Sequence, residues 1–440
     1  MTRVVAFLLL VSLLGSAFAA VPPLGKTPPL ARSALISAKS GILMDRQTGL
    51  VLWQHNPDLP LAMASTTKIM TAMVILDHGS DKLNEKVRVS HYAASTGGSS
   101  LLAEGEVTTL GELLKGALIC SSNEATVAAA EFLAGNEKTF VGWMNDKAGE
   151  LGLKHTHFMN PHGLYKGAQG QYHYSTARDL ALIARHALTY YPLIRQIVDQ
   201  ARPGQPEYIE VSPRGNVRLE NHDKIVQQPV PGIPGAIVDG VKTGYVREAG
   251  RCLVSSATLN NWQLIAVVLN SEDTYKDNLA LLYYGFKRFE WKTYAAAQHE
   301  AQRLPVTYGE PNSVPIGVTG ELGAPVPRLE FGGAGVVDRL VFEGRTLRAP
   351  VRIGEEVGTL SLLRNGRQIA VLPAVTMRGA TVAWWIRALI VLEYAALSLC
   401  GLIVLGIIYG TITKAARRRR RKLTKGRRSA HPGGTNHGER

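Results

Sequence analysis

The spacing of apolar residues changes several times along the first two thirds of the chain. Strand-like apolar runs come first, at Ala34–Ala38 and Leu50–Trp53, on either side of the polar, glycine-ended segment Asp45–Gly49. Two short apolar runs around such a segment predict a β-hairpin. The next run, Ser65–Asp77, is apolar on nearly every side and stops at Gly79. A helix that is hydrophobic all round predicts a central helix buried in the core.

Helical spacing recurs after this segment, and strand-like runs then return. The clearest helical runs are Leu110–Ile119, Glu124–Leu133, Phe140–Leu151 and Thr176–Leu188. The later strand-like runs are Ala236–Lys242, Cys252–Thr258 and Trp262–Leu269, and a helical run, Lys276–Trp291, follows them. Strands at both ends with helices between them predict an α+β domain over residues 30–298. In this domain we expect the first hairpin to join the later strands in one antiparallel sheet.

The pattern changes again after Leu304. Short β-rich runs alternate with Gly and Pro as far as Val375, which predicts a small all-β domain over residues 304–376. This segment contains no cluster of titratable residues typical of an active site. We interpret it as a spacer.

Both ends of the chain are typical of targeting segments. Residues 1–20 combine Arg3, an apolar stretch and the small residues Ala17 and Ala19, as in a secretory signal peptide. Residues 385–413 predict a transmembrane helix, because Ala388–Thr413 carries only one charge, Glu393, and exceeds the ~30 Å hydrocarbon core at about 1.5 Å per residue. The basic run that follows predicts a cytoplasmic tail over residues 414–440, with the body of the protein on the extracytoplasmic, periplasmic side.

The net charge of +14 changes this picture little, because the tail holds most of it. Residues 414–440 contain eleven Lys and Arg against one Glu, which leaves +4 for the other 413 residues. A basic tail beside a membrane span predicts contact with anionic lipids, and without interleaved aromatic residues we expect no nucleic-acid binding. The three cysteines, Cys120, Cys252 and Cys400, show no metal-binding or dithiol spacing, and a Cys120–Cys252 disulfide stays open.

Three short motifs carry the candidate chemistry. Ser65-Thr66-Thr67-Lys68 opens the buried helix, Ser121-Ser122-Asn123 lies between two helices, and Lys242-Thr243-Gly244 ends a strand. Each motif is weak alone, but the three in this order on these elements are specific for serine enzymes that form acyl intermediates. Residues three apart on a helix share one face, so Lys68 can reach the Ser65 hydroxyl. Burial and a second cation, Lys242, favour the neutral amine that a base needs.

With these motifs the chain resembles the D-alanyl-D-alanine carboxypeptidases of the penicillin-binding protein 5 type. The resemblance extends over about Ala34–Val375 and includes Gly98-Ser99-Ser100-Leu101, Asn160-Pro161-His162-Gly163-Leu164 and Tyr174-Ser175-Thr176. It implies a serine β-lactamase/penicillin-binding-protein-like catalytic domain that cleaves the terminal D-alanine from peptidoglycan stem peptides and is acylated by β-lactams. It also implies that no metal or other cofactor is required.

The resemblance assigns roles by position. It implies Ser65 as nucleophile, Lys68 as base and Ser121 as proton relay to the leaving amine. Asn123 is expected to hold the substrate amide and Lys68, and Lys242 and Thr243 to bind the terminal carboxylate. Gly244 is expected to let the peptide lie against the strand. The amides of Ser65 and Tyr245 are expected to form the oxyanion hole.

Two departures from the family pattern stand out. Glu124 follows Asn123 where many relatives have Asp, and Lys276 stands near a position where relatives often carry an Arg that assists carboxylate binding. Loop histidines His155, His157 and His162 lack a supporting carboxylate and are read as polar surface rather than metal ligands.

Three alternatives share the motifs. A class A β-lactamase is disfavoured because residues 155–174 contain no acid for deacylation. An endopeptidase acting on cross-linked peptides, and a non-catalytic wall-binding relative, stay open.

Overall fold

The computed structural model describes residues 35–165, 173–200, 205–331 and 336–428. The predicted signal peptide and the last twelve residues of the basic tail lie outside these ranges. The chain divides into two compact units. The larger unit contains the residues up to Tyr294 together with Glu321–Val341 and Ser361–Val371, and the smaller contains Ala295–Gly320, Phe342–Leu360 and Leu372–Arg440.

A five-stranded antiparallel sheet forms the centre of the larger unit. The strands up to residue 271 are β1 Ser40–Asp45, β2 Val51–His55, β3 Lys86–Arg88, β4 Val107–Thr109, β5 Glu207–Val211, β6 Gly215–Leu219, β7 Ile237–Val246, β8 Gly250–Leu259 and β9 Trp262–Ser271. The sheet order is β2-β1-β9-β8-β7, so the first hairpin does join the later strands and β7 is an edge strand. The short strands pair as hairpins or ladders of their own, β3 with β4 and β5 with β6.

The helices of the larger unit pack around one buried helix. They are α1 Lys68–Gly79, α2 His91–Ala94, α3 Leu110–Leu118, α4 Asn123–Ala134, α5 Glu137–Glu150, α6 Ala177–Tyr190, α7 Pro192–Gln200 and α8 Thr274–Arg288. Helix α1 contacts α3, α4, α5 and α6, and ten of its twelve residues are buried. The expected central helix is therefore present, and the α+β prediction is confirmed.

Side-chain caps fix where several of these helices begin. Thr109, Ser122, Asn136 and Thr176 each accept a hydrogen bond from the backbone N–H three residues later. Such caps satisfy N–H groups that have no partner inside the helix. Helix α4 ends at Gly135, whose φ of 76° is the left-handed conformation that glycine adopts without strain. The cap at Ser122 matters most for function, because it fixes the start of α4 at Asn123.

The first strand does not lie where the apolar pattern predicted it. Of the predicted strand Ala34–Ala38, Ala34 lies outside the described residues, the other four precede the sheet, and the strand is Ser40–Asp45. The backbone N–H groups of Ser37 and Ala38 donate to the carboxylate of Asp277 on α8 instead of to a neighbouring strand. Helix α7 and the β5–β6 hairpin were not predicted.

Short β-strands make up most of the chain between residues 289 and 382, and each of the two units contains some of them. The remaining strands of the chain are β10 Phe289–Ala295, β11 Gln302–Thr307, β12 Gly309–Glu310, β13 Ser313–Val318, β14 Leu322–Pro327, β15 Asp338–Gly344, β16 Leu347–Arg348, β17 Glu356–Arg364, β18 Arg367–Thr376 and β19 Thr381–Val382. Within the smaller unit β11 pairs with β13 and β16, β13 pairs with the end of β18, and β12 pairs with β19. The predicted β-rich character of this segment is confirmed.

A long helix, α9 Trp384–Arg428, follows the last strand. Its part from Trp384 to Arg421 is long and apolar enough to cross a membrane, and none of its most apolar stretch is buried in protein. The indole of Trp385 packs edge-on against the ring of Tyr308, and the Arg348 guanidinium lies over the same ring. Aromatic and basic side chains thus surround the start of the apolar helix, as is typical of a membrane interface.

Candidate active site

Ser65 lies in a 3-10 turn, Ala64–Thr67, immediately before α1. The side chain of Thr66 donates to Met63 O at 2.6 Å and that of Thr67 donates to Ala64 O at 2.7 Å. The turn begins at Ala64 with a φ of 50°, a conformation that costs energy for a residue with a side chain. Ser65 is not a helix cap. The two threonine bonds hold it in a fixed turn whose shape the apolar pattern did not indicate.

Lys68 points back from the first position of α1 to the Ser65 hydroxyl. Its Nζ lies 2.9 Å from Ser65 Oγ, 2.7 Å from Asn123 Oδ1 and 2.7 Å from the backbone oxygen of His162. The last two atoms only accept hydrogen bonds, so a neutral amine gives them its two N–H groups and turns its lone pair to Ser65. The amide orientation of Asn123 is fixed because its Nδ2 donates to Gly97 O at 2.8 Å.

The environment of Lys68 favours that neutral form. Its side chain is completely buried, and this burial, followed by the positive charge of Lys242, holds the pKa of the amine well below its usual value. Both effects act in the direction expected when a cation is removed from water and placed near another cation.

Ser121 and Asn123 approach the same place from the loop before α4. Ser121 has a φ of 61°, and the backbone N–H of Asn123 donates to Ser99 Oγ at 2.8 Å. The Glu124 carboxylate, which is buried, accepts hydrogen bonds from the hydroxyls of Ser99 and Ser122. The acid that departs from the family pattern therefore anchors the loop that presents Asn123.

The third motif lies on the edge strand β7. Lys242 is 2% exposed and donates to Thr243 O at 3.1 Å. Burial lowers its pKa to about 8, while Cys120 and Asp223 act in the opposite direction. A Cβ on Gly244 would lie 3.0 Å from Met63 O and 3.2 Å from Ser65 N. Only glycine therefore lets the turn Ala64–Thr67 approach β7 this closely.

These elements enclose an open cleft of about 700 Å³ in the larger unit. Six of the eight predicted site residues line it: Ser65, Ser121, Asn123, Thr243, Gly244 and Tyr245. The other two, Lys68 and Lys242, are buried beside those lining residues. Other residues of the wall are His222, Lys224, Arg251, Glu272, Asp273 and Tyr275.

Comparison with known proteins agrees with this geometry. A family model described as D-alanyl-D-alanine carboxypeptidase matches residues 27–273. The chain is 36% identical over 345 residues to D-alanyl-D-alanine carboxypeptidase DacF of Bacillus subtilis, covering 76% of this chain and 84% of the relative. It is 33% identical over 357 residues to D-alanyl-D-alanine carboxypeptidase DacA of Escherichia coli, covering 78% and 83%. The chain belongs to the D-alanyl-D-alanine carboxypeptidase family.

A solved structure gives the same result for the fold. Penicillin binding protein 5 from Haemophilus influenzae superposes with a TM-score of 0.60 at 30% identity, over 81% of this chain and the whole of that chain. The penicillin-binding-protein-like α+β domain, the β domain and the apolar C-terminal helix are thus confirmed. The protein is a serine-type D-Ala-D-Ala carboxypeptidase and a penicillin-binding protein, and its family implies D-Ala-D-Ala peptidoglycan substrates and β-lactams.

Some residues of the carboxypeptidase site were not found from the sequence. The His162 backbone oxygen leaves no signal in the residue type. His173 lies beside the turn Ala64–Thr67, where its Nε2 is 2.7 Å from Thr67 Oγ1. Lys276, which stands near the position where relatives often carry an Arg, is not among the residues that line the cleft. The thiols of Cys120, Cys252 and Cys400 are free, so the open disulfide is not formed.

Proposed function

We propose that Ser65 is the nucleophile and Lys68 the base of this carboxypeptidase. Ser65 Oγ attacks the carbonyl carbon of the penultimate D-alanine while Lys68 Nζ takes the hydroxyl proton. The observation that carries this proposal is the 2.9 Å distance between these atoms on a completely buried lysine. A neutral amine within hydrogen-bond reach is the geometry that general-base catalysis requires.

The other residues of the cleft complete the acyl transfer. The tetrahedral oxyanion lies between the amides of Ser65 and Tyr245, and donors of this kind contribute about 2.7–4 kcal/mol each. Ser121 gives its proton to the departing D-alanine amine and takes in exchange the proton that Lys68 removed from Ser65. The peptide bond breaks, an ester remains on Ser65 and Lys68 is neutral again. Water then attacks this ester, the shortened peptide leaves and Ser65 regains its proton.

Substrate orientation comes from the remaining motif residues. Asn123 binds the amide of the peptide and holds Lys68, and Lys242 and Thr243 bind the terminal carboxylate. Gly244 leaves room for the peptide along the edge of β7. The proposal needs no metal, because every proton moves between groups of the chain, the substrate and water.

We also propose how the protein is arranged around the membrane. Residues 1–20 are removed as a signal peptide, residues 30–298 form the catalytic domain and residues 304–376 the β domain. Residues 385–413 span the membrane once and residues 414–440 lie in the cytoplasm near anionic lipids, with catalysis on the periplasmic side. Support comes from the exposed Trp384 and the apolar helix after it. A tag on the C-terminus that is digested by protease in intact spheroplasts would contradict this orientation.

The nucleophile is tested with a Ser65→Ala variant of the full-length protein. We expect no covalent labelling by a fluorescent penicillin and no D-alanine release from a pentapeptide, with unchanged circular dichroism. Labelling of the variant at the wild-type rate would contradict the assignment. If the wild-type protein opens only cross-linked dimers, the endopeptidase alternative holds, and if it does neither, the non-catalytic alternative holds.

A further inference from the structure

The wall of the cleft contains an arginine, the side-chain type that binds a carboxylate through two hydrogen bonds. This residue, Arg251, lines the cleft near the start of β8. Lys276, by contrast, lies in the first turn of α8, where its backbone N–H donates to Asp273 Oδ1 at 3.1 Å. The cleft wall therefore contains Arg251, from a strand, and does not contain Lys276, from a helix.

The register of the sheet brings Arg251 within reach of the carboxylate-binding motif. Arg251 lies directly opposite Tyr245 on the neighbouring strand β7. Thr243 is two residues before Tyr245 and so is the diagonal neighbour of Arg251 on the same face. Diagonal neighbours in an antiparallel pair are about 7–8 Å apart, a separation that a long side chain bridges.

The guanidinium of Arg251 forms few interactions with the rest of the described protein. Its Nη1 donates to the backbone oxygen of Glu272 at 3.0 Å. Within the described ranges this is its one side-chain hydrogen bond, and it forms no ion pair there. Arg364 shows the opposite arrangement, since it is buried and binds both oxygens of Asp338. A guanidinium has five N–H donors, so most of those on Arg251 remain for a ligand.

Two acidic residues lie in the same wall of the cleft as Arg251. Glu272 and Asp273 line the same wall, and an anionic ligand nearby is repelled by both. A planar guanidinium offsets this repulsion and binds a carboxylate through two parallel hydrogen bonds, which a lysine cannot do.

We propose that Arg251 is a specificity-determining residue that binds the terminal carboxylate of the substrate together with Thr243. The inference rests on the proposed function of this cleft and adds a residue from β8 to it. Arg251 takes no part in the proton transfers. It selects peptides that end in a free carboxylate over peptides that end in a neutral group.

Binding and turnover test this inference separately. Binding is measured by calorimetry on full-length Ser65→Ala, with one peptide ending in D-Ala-D-Ala and the same peptide ending in D-alaninamide. Adding Arg251→Leu is expected to weaken binding of the acid by about 10- to 100-fold, the range of a hydrogen bond to a charged group. Binding of the amide is expected to change by less than about threefold, since the amide lacks the charge that Arg251 recognises.

The controls use the chain's own cations. Lys276→Leu removes a neighbouring positive charge outside the cleft and should leave the ratio of acid to amide binding unchanged. Arg251→Lys keeps the charge without the fork and should fall between the wild type and the leucine variant. In an otherwise wild-type protein, Arg251→Leu should reduce kcat/KM for the acid mainly through KM.

Two results would overturn the inference. One is an equal loss for acid and amide, which would make Arg251 a structural residue of the β7–β8 hairpin. The other is no loss for the acid. Failure of the proposed function is separate from both, because it would show as D-alanine release by Ser65→Ala whatever residue stands at position 251.

Discussion

Lys68 and Lys242 are two buried lysines beside one cleft, and their surroundings differ. Lys68 lies at the start of a helix, and its amine contacts Ser65, Asn123 and the His162 backbone oxygen. Lys242 lies on an edge strand, where its amine has one hydrogen bond to the described part of the chain, to Thr243 O. Burial lowers the pKa of both amines, that of Lys242 to about 8 and that of Lys68 well below its usual value, where the charge of Lys242 adds to the effect of burial. These different surroundings are consistent with the two roles that we propose, a base for Lys68 and a cation for Lys242.

Replacing each lysine by arginine tests this difference most directly. A guanidinium does not lose its proton in proteins, so Lys68→Arg removes the base whereas Lys242→Arg keeps the cation. We expect Lys68→Arg to slow acylation by a fluorescent penicillin about 10²- to 10⁴-fold, the range for loss of a general base. Lys242→Arg should slow it much less.

Lys68→Met is the matched control for size, because it removes the amine without adding a larger head group. It should lose as much activity as Lys68→Arg, and thermal melting should show that each variant is folded. Equal acylation rates for the two arginine variants would contradict the division of roles.

His173 belongs to the hydrogen-bonded surroundings of the turn Ala64–Thr67, which immediately precedes Lys68. Its Nδ1 accepts the Met159 N–H at 3.0 Å, so its Nε2 carries the proton and donates to Thr67 Oγ1, which in turn donates to Ala64 O. Burial first, then the charges of His157 and Lys68, lower the pKa of His173 to about 3. The ring is therefore neutral in the folded protein at any pH well above 3.

This neutral ring predicts a loss of stability in acid. Below about pH 6.5 the unfolded chain binds a proton on His173 that the native state does not bind until about pH 3. The free energy of unfolding then falls by up to about 1.4 kcal/mol per pH unit in this window. His173→Gln should melt with a smaller decrease between pH 6 and pH 4 than the wild type. Parallel decreases would show that another group causes the acid sensitivity.

The sequence was sufficient where a contact is local or repeated along an element. Ser65 and Lys68 meet because they are one helical turn apart, and the strands β7, β8 and β9 follow from runs of apolar residues. The start of the first strand was wrong because Asp277, far away in the chain, binds the N–H groups of Ser37 and Ala38. No local pattern reports such a competing acceptor.

Contacts made by backbone atoms, and contacts between strands, could also not be predicted from the sequence. The oxygen of His162 that holds Lys68 exists in every residue type, so only the path of the loop selects it. Gly163 marks that path, since a Cβ there would lie 2.0 Å from Ala64 O. Likewise, the choice of Arg251 over Lys276 depends on strand register, which becomes known only when the hairpin is built.

A substitution at Asp223 tests the pKa of Lys242 on β7, and its expected effect is the smallest of those predicted. Its carboxylate is buried, and Oδ1 accepts the Ile225 N–H at 3.1 Å while Oδ2 has no hydrogen-bond partner within the described ranges. Burial raises the pKa of Asp223 to about 6, and its charge in turn raises that of Lys242. Above pH 6 the two side chains therefore form a long-range pair of opposite charges.

This pair predicts how activity depends on pH. As the pH rises through about 8, Lys242 loses the charge that binds the substrate carboxylate, so kcat/KM should fall about tenfold per unit above that value. Asp223→Asn removes the stabilising charge and should move this basic limb to lower pH by up to about one unit, with little change at pH 6. The thiol of Cys120, the other group that raises the pKa of Lys242, titrates only at about 11 and leaves this limb unaffected. An unchanged limb in Asp223→Asn, measured as kcat/KM for D-alanine release between pH 6 and pH 10, would mean that Asp223 does not contribute to the pKa of Lys242.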